Sequence, residues 1–517
     1  MKKLVGALVI ILVVAAAGLA GAAYWSGRQA EHWYQESLAA AAKNPNIKFS
    51  TTYYHRGVFS SQAVTRVQFV MPEDQGSETP DPSFSVRQDI YHGPLPLAGW
   101  GVPGVAMGWT GGVVRVTLDP DSSAWTRALA KWYGHQEPLV IVSQIGFDGA
   151  SDTRITMPPL TVSDVEDLQS LQFSGLQGQF QVTAGNAAAQ GSLKMDSLDA
   201  VGKPVAATEG QPASGGAQIK LRDLAMTAKQ HKGAFDLQFG DSNFTLGQLS
   251  VHEPGIETPL VVENLNVTGS VSQQSPQQVG GEVMMKAGKV TVEGQSGTGS
   301  LKLALRNLDG ATVNQLEQWQ QKAAGNTDDP QMLDELLKLV HVLLRGKPEF
   351  VLDSQATLSN GEWQGKLSLN FQDFGDVNLL QSPIGLLGAL EKGLAELAIS
   401  KGLLETALTD AIKEELKGQL TEQGQEASDQ AVQTLAAQQA TAQLKSVTDL
   451  GFVRLEGDRY RSTAKFEGGK LYVNDKEIPL TATVGEQDLG GDETTLEESG
   501  VDGGEDADAG DAATPKP

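Results

Sequence analysis

The body of this chain alternates apolar and polar residues with a period of two in run after run, and no other feature constrains the fold as tightly. Ile47-Lys48-Phe49, Arg66-Val67-Gln68-Phe69, Gln179-Phe180-Gln181-Val182, Ile219-Lys220-Leu221-Arg222, Phe235-Asp236-Leu237-Gln238-Phe239 and Lys289-Val290-Thr291-Val292 all show it. Successive side chains of a strand point to opposite faces, so each run predicts a half-buried antiparallel strand with one apolar face and one polar face. The 58 glycines are spread along the body rather than gathered in one linker, as many turns between short strands would require.

The expected fold is therefore α+β and β-dominated, an extended antiparallel sheet or sheets with interspersed amphipathic helices. A closed β core and a sheet curled into an apolar-lined groove would produce the same alternation, so both stay open. The β-rich domain is assigned to residues 46–378, with helical insertions near 122–133 and 313–345, the second broken at Asp328-Asp329-Pro330. Residues 379–447 read as helical, because Leu387, Leu390, Leu394, Leu397, Leu404, Leu408, Ile412, Leu416 and Leu420 recur near the helical period with Glu and Lys opposite, up to a break at Gly424. Residues 448–484 form closing strands, in which Glu467-Gly468-Gly469 joins 460–466 to 470–473 as a hairpin. A loose repeat links Gly191-Ser192-Leu193-Lys194-Met195 to Gly299-Ser300-Leu301-Lys302-Leu303, each followed by a Ser- or Asn-Leu-Asp sequence that reads as a turn.

Lys2 and Lys3 precede 20 apolar or small residues, 4–23, enough at about 1.5 Å per residue to cross a hydrocarbon core about 30 Å thick. With Tyr24 and Trp25 at the far interface, residues 1–3 read as a cytoplasmic stub, 4–25 as a transmembrane signal anchor and 26–45 as a membrane-proximal helix carrying Ala30, Trp33, Tyr34 and Leu38 on one face. The alternative is a cleaved export signal ending at Ala20-Gly21-Ala22, which the length of the apolar run disfavours. Either way the body is exported, and the expected location is the bacterial inner membrane, single-pass, with the C-terminal domain in the periplasm.

With 39 Lys plus Arg against 63 Asp plus Glu, the formal charge of -24 repels a nucleic-acid backbone, and nucleic acid is excluded as a partner. The absence of cysteine removes thiol catalysis, iron–sulfur clusters, zinc–thiolate sites and disulfides together. Residues 485–517, with eleven acidic residues and no basic one between 486 and 511, read as a disordered acidic tail.

Two local strings stand apart from the general pattern: Tyr53-Tyr54-His55-Arg56-Gly57-Val58-Phe59-Ser60-Ser61 and Tyr91-His92-Gly93-Pro94-Leu95-Pro96-Leu97. With the Lys-Lys-hydrophobic start, Gly346-Lys347-Pro348 and the closing Phe466-Glu467-Gly468-Gly469-Lys470-Leu471-Tyr472-Val473-Asn474, they make the chain resemble the YdgA family of proteobacterial envelope proteins. The resemblance implies an inner-membrane protein facing the periplasm and a strand-dominated fold. It implies no reaction, since the family's function is unknown.

Within the two strings, Tyr54, His55, Arg56, Gly57, Phe59, Ser60, His92, Gly93 and Pro94 are the candidate residues, and a structural role is expected for them. His92-Gly93-Pro94 has the composition of a tight turn, and residues 54–59 that of a strand–turn–strand corner. The competing reading is a hydrolase whose site gathers around His55, Arg56 and His92, with imidazole as base and guanidinium as anion binder. The remaining histidines lack metal-ligand spacing, and phosphate-loop, dinucleotide and nucleophile-elbow motifs do not occur, so neither cofactor nor metal is indicated. The expected role is non-enzymatic binding or scaffolding at the membrane. Lipid or amphiphile binding in an apolar β groove is its specific form, and homodimerisation through the anchor or the leucine-rich helix is a further possibility.

Overall fold

The structure, a computed structural model, describes residues 28–479 apart from several stretches, chiefly 40–46, 71–82, 205–214, 324–329, 373–388 and 423–427. The expected anchor, the acidic tail, Leu387, Gly424 and Pro94 lie outside the described residues. No helix among the described residues is long and apolar enough to cross a membrane.

Among the described residues twenty-two strands join in one antiparallel sheet. They are β1 (Ile47–Arg56), β2 (Ser60–Phe69), β3 (Ser83–Tyr91), β4 (Gly112–Leu118), β5 (Val140–Ile145), β6 (Ser151–Met157), β7 (Leu160–Val165), β8 (Leu168–Phe173), β9 (Leu176–Val182), β10 (Ala188–Gly202), β11 (Gln218–Lys232), β12 (Gln238–His252), β13 (Leu260–Gln273), β14 (Gln278–Val292), β15 (Gln295–Asp309), β16 (Glu349–Leu358), β17 (Gly361–Phe371), β18 (Leu390–Ser400), β19 (Arg454–Glu456), β20 (Arg459–Glu467), β21 (Lys470–Val473) and β22 (Lys476–Ile478). From β1 to β6 and from β10 to β18 each strand pairs with the next in sequence. The hairpin β7–β8 is set aside so that β9 pairs with β6, and β10 receives β9 along its first half and β8 along its second. β20 closes on β18, with β19 and β21 sharing its other edge.

Register makes the two faces chemically different. Leu193, Met226, Phe244, Val267, Met285 and Leu301 lie directly opposite one another across β10 to β15. One residue along, Gln179, Ser192, Thr227, Asn243 and Thr268 form a parallel row on the other face. Among the described residues no second sheet covers the apolar face; helices cover parts of it. Residues 28, 30–32, 34, 35, 38 and 39 are helical and lie against β1–β3. Helix α1 (Ala124–Tyr133), capped by Ser123, places Trp125 edge-on to Phe84, and its Tyr133 hydroxyl donates to the Pro158 carbonyl at 2.8 Å. Helices α2 (Gly310–Ala323) and α3 (Pro330–Arg345) are tied by the Trp319 indole donating to the Met332 carbonyl, and Val313 of α2 packs on Leu237, Phe239 and Val279. Helices α4 (Lys401–Glu422) and α5 (Asp429–Asp449) pack through Ile412, Ala436 and Ala440, and seat Leu403, Leu404 and Leu444 on Ile399 and Tyr460.

The structure corrects three expectations. Residues 390–400, assigned to the leucine-rich helix, form β18, paired on both edges by β17 and β20. Gly393, Ala395, Leu397 and Ile399 join the apolar face while Leu394 lies between Ser368 and Lys465, so the ladder overrides a leucine spacing that fits a helix over so short a stretch. Phe235 and Asp236 belong to a turn with left-handed φ of 61° and 59°, and β12 starts only at Gln238. The Ser197-Leu198-Asp199 and Asn307-Leu308-Asp309 sequences are not turns but the ends of the long strands β10 and β15.

Those long strands bend by a repeated device. Asp223 in β11 and Asn264 in β13 hold left-handed φ of 50° and 53° in mid-strand. Each swings its Cβ toward the next strand, and there stand Gly247 and Gly288, where an added Cβ would come within 2.9 Å of the Asp223 and Asn264 Cβ atoms. The flanking register sets Asp223, Gly247, Asn264 and Gly288 side by side across four strands. Asn264→Val should cost about 1–2 kcal/mol in a urea melt, because a β-branched residue pays the left-handed penalty. Asn264→Gly should stay close to the parent.

Candidate functional site

The two strings singled out in the sequence meet at one end of β1–β3. Gly57 N–H donates to the Ser60 carbonyl at 2.8 Å to close the β1–β2 turn, and His92 N–H donates to the Phe59 carbonyl at 2.9 Å, tying the end of β3 to that turn. Gly57 is required because a Cβ there would meet the Ser60 carbonyl oxygen at 2.7 Å. His92 and Gly93 are buried, and the His92 Nε2 lies 3.0 Å from the Ser61 hydroxyl. Tyr54 stands beside Ser61 and stacks on Tyr34, whose own hydroxyl bonds Thr51 and Thr65, while Arg56 pairs with Glu31 at 2.8 Å.

His55 is not part of this cluster. It follows Tyr54 in strand alternation, is exposed, and lies opposite Gln62 on the other face. The three groups of the hydrolase reading are thus divided between two faces. The Ser61–His92 pair has the atoms of a nucleophile and base, but each residue is only 1% exposed, which leaves no approach for a substrate carbonyl. Among the described residues no group of three or more His, Asp or Glu side chains could hold a metal ion. This cluster is a buried polar clasp between the N-terminal helical segment and the sheet.

The feature with the dimensions of a binding site lies further along, on the apolar face. Met226 is 46% exposed, Val283 46%, Met285 42% and Leu301 41%, although their neighbours across the strands are also apolar. Beside the large row runs a row of small residues, Gly191, Ala228, Ser242 and Gly269, again directly opposite one another across β10 to β13. Four strands at about 4.8 Å spacing make this a furrow roughly 14 Å long. The Phe180 ring closes one end, sitting where a Gly191 side chain would be. The other end leads to a pocket of about 480 Å³ between the sheet and α2, lined by Val271, Val283, Leu303, Leu305, Leu308 and Val313. The opposite face has a depression of about 650 Å³ lined by Gln179, Gln190, Ser192, Thr227, Asn243 and Thr268. These residues were not singled out from the sequence; the readable signal was the alternation itself, without a second set of strands to cover it.

An uncovered single-layer antiparallel sheet, with its helices on the apolar side, defines a β-dominated α+β protein built around a surface rather than an enclosed core. Residues 1–481 match the family described as bacterial protein of unknown function (DUF945), and the chain belongs to that family. It is 22% identical over 519 residues to Protein YdgA of Escherichia coli (strain K12), an alignment covering 92% of this chain and 96% of that one. No solved structure matches.

Two outcomes separate structural from catalytic roles at the clasp. His92→Ala and Ser61→Ala should each lower unfolding stability by about 1–3 kcal/mol, since each strips a buried polar partner, whereas His55→Ala should stay within about 0.5 kcal/mol in the same urea titration. Burial pushes the Tyr54 phenol above its ordinary range, partly offset by the adjacent Ser61 hydroxyl, and burial also raises Tyr91 and Tyr133. A raised folded-state pKa contributes stability that is complete below the unfolded value near 10 and is lost as pH rises through the folded value. Circular dichroism should therefore show unfolding setting in above about pH 10. Tyr54→Phe should weaken that dependence.

Proposed function

We propose that this protein is a membrane-tethered envelope protein without catalysis, whose apolar sheet face holds the acyl part of a lipid. The observation that supports it is the furrow of Gly191, Ala228, Ser242 and Gly269, bordered by exposed Met226 and Val283. An apolar surface of this extent is costly to leave against water, at about 25 cal/mol per Å². A single acyl chain fits where a protein strand would need free backbone groups, because every strand from β10 to β17 has both edges paired already. Each methylene laid on this face gains about 0.8 kcal/mol, so ten contribute on the order of 8 kcal/mol before ordering costs. The apolar run at residues 4–23 supports placement at the inner membrane with the sheet on its periplasmic side, within reach of such a ligand.

The test is lipid analysis of protein extracted from native membranes in mild detergent. Acyl lipid should accompany the parent in near-stoichiometric amount by native mass spectrometry. Met226→Glu and Met285→Glu replace exposed side chains, so they should leave folding intact while reducing bound lipid about tenfold or more. His92→Ala should leave the bound lipid unchanged. Lipid recovery that is equal in parent and both glutamate variants would remove the reading.

A further inference from the structure

The strand ends are not equivalent. At one end of the sheet the turns after β1 and β5 and the loop after β3 come together, since Arg56 pairs with Ser61, Tyr91 with Val113 and Gly112 with Ile145. Each of the three connections carries a large exposed apolar side chain. Val58 and Phe59, in the β1–β2 turn, are 50% and 44% exposed. Trp100 is 67% exposed and Phe147, in the β5–β6 turn, 58%.

Local structure holds these side chains outward. Val102 N–H donates to the Gly99 carbonyl and Gly101 has φ of 78°, so Trp100 and Gly101 are the central residues of a tight turn whose flanks, Ala98 and Val102, are buried. In the β5–β6 turn the Asp148 carboxylate accepts the Ala150 N–H at 3.0 Å, and Gly146 and Gly149 N–H close on the Ala150 and Gly146 carbonyls. Further along the same end the tips change character: residues 183–187 and 274–277 are Thr-Ala-Gly-Asn-Ala and Gln-Ser-Pro-Gln, small or polar. The β11–β12 turn at this end carries Phe235 and Leu237, but these pack with Val313 of α2, so among the described turns of this end the exposed apolar tips fall within β1–β6, five strand spacings or roughly 24 Å.

The chain's N-terminal segment arrives at this same end. Glu31 pairs with Arg56, the last residue of β1, and Tyr34 bonds Thr51 further back along it, so the helical segment runs away from the β1–β2 turn as residue number rises. Arg28, exposed, is then about 4.5 Å nearer to that turn than Glu31, at 1.5 Å per residue. The apolar run at residues 4–23 ends a few residues before it.

We propose that Val58, Phe59, Trp100 and Phe147 form a membrane-docking edge that inserts into the interfacial layer of the same bilayer that receives residues 4–23. Valine, phenylalanine and tryptophan suit that layer, where an aromatic ring is buried on one side and wet on the other. Four shallow contacts in addition to a tether fix an orientation that one helix alone leaves free. Strands then rise away from the membrane, and both faces of the sheet stay clear of it. The inference does not require the apolar face to bind lipid, and it rests on separate residues.

The chain has no cysteine, so single reporters can be placed in the full-length protein without removing any. Val58→Cys, Trp100→Cys and Phe147→Cys, with Asn186→Cys and Ser275→Cys as controls, would carry a nitroxide in full-length protein reconstituted into phosphatidylethanolamine–phosphatidylglycerol vesicles. Val58, Trp100, Phe147 and Asn186 are exposed and Ser275 is half-buried in its turn, and retained β-sheet circular dichroism checks each variant. The expected result is that labels at 58, 100 and 147 are reached by oxygen and shielded from a water-soluble nickel chelate, at depths just below the headgroups, while those at 186 and 275 are open to nickel. Equal nickel access at all five positions overturns the proposal. Shielding at 58, 100 and 147 that appears only in native membranes and not in pure lipid vesicles also overturns it, since the edge would then be docking on a protein.

Discussion

Everything in this molecule depends on one continuous ladder of backbone hydrogen bonds. A strand's N–H and C=O groups must be paired or wetted, and here each interior strand pairs both its edges with neighbours, so the sheet stands as a layer without needing another above it. The price of that arrangement is an apolar face with nothing to bury it completely. Helices near β1–β3, at α1, at α2–α3 and at α4–α5 shield its margins, and the middle stays open around Met226, Val283 and Met285. The buried clusters are correspondingly small and lie under α2, under α4–α5 and between α4 and α5.

Much of the fold was legible because period-two alternation survives in nearly every strand, and because turns announce themselves through glycine. Gly468 and Gly469, with φ of 60° and 75°, close the β20–β21 hairpin where Glu467-Gly468-Gly469 had indicated it. The helices at 124–133, 310–323 and 330–345 overlap the insertions read at 122–133 and 313–345. The error at 390–400 has a physical origin: Leu390, Leu394 and Leu397 satisfy a helical spacing locally, and only the two partner strands, β17 and β20, decide the matter from a distance. A strand read from one sequence does not disclose its partners. For the same reason alternation could not say whether the apolar faces met each other or met nothing.

The candidate residues show how proximity and chemistry diverge. His92 and Ser61 lie at hydrogen-bonding distance and so satisfy the first geometric demand on a nucleophile and its base, yet their burial serves cohesion. Tyr34, Tyr54, Thr65 and Gln88 extend the same polar seam beneath the N-terminal helical segment. The motif was recognisable in the sequence as a corner. Its closure by a helix from before β1 was not, because Tyr34 and Glu31 carry no spacing that points to Thr65 or Arg56. The furrow was hidden for a different reason: Gly191, Ala228, Ser242 and Gly269 come from four strands and line up only through register.

The meander also sets the order in which structure can accumulate. Across β10 to β15 a newly made strand finds its partner in the one made just before it, and loop closure over so short a separation is fast and cheap in entropy. Growth from one end leaves a single unpaired edge at any moment, moving along the chain as synthesis proceeds. Three places break the sequence of events, the first at β15, which must wait for β16 across α2 and α3. β6 must wait for β9 while the β7–β8 hairpin forms aside, and β18 must wait for β20 across the whole of α4 and α5. During those intervals an edge strand is exposed, so a chain of this design is most vulnerable to mispairing with another copy at β6, at β15 and at β18.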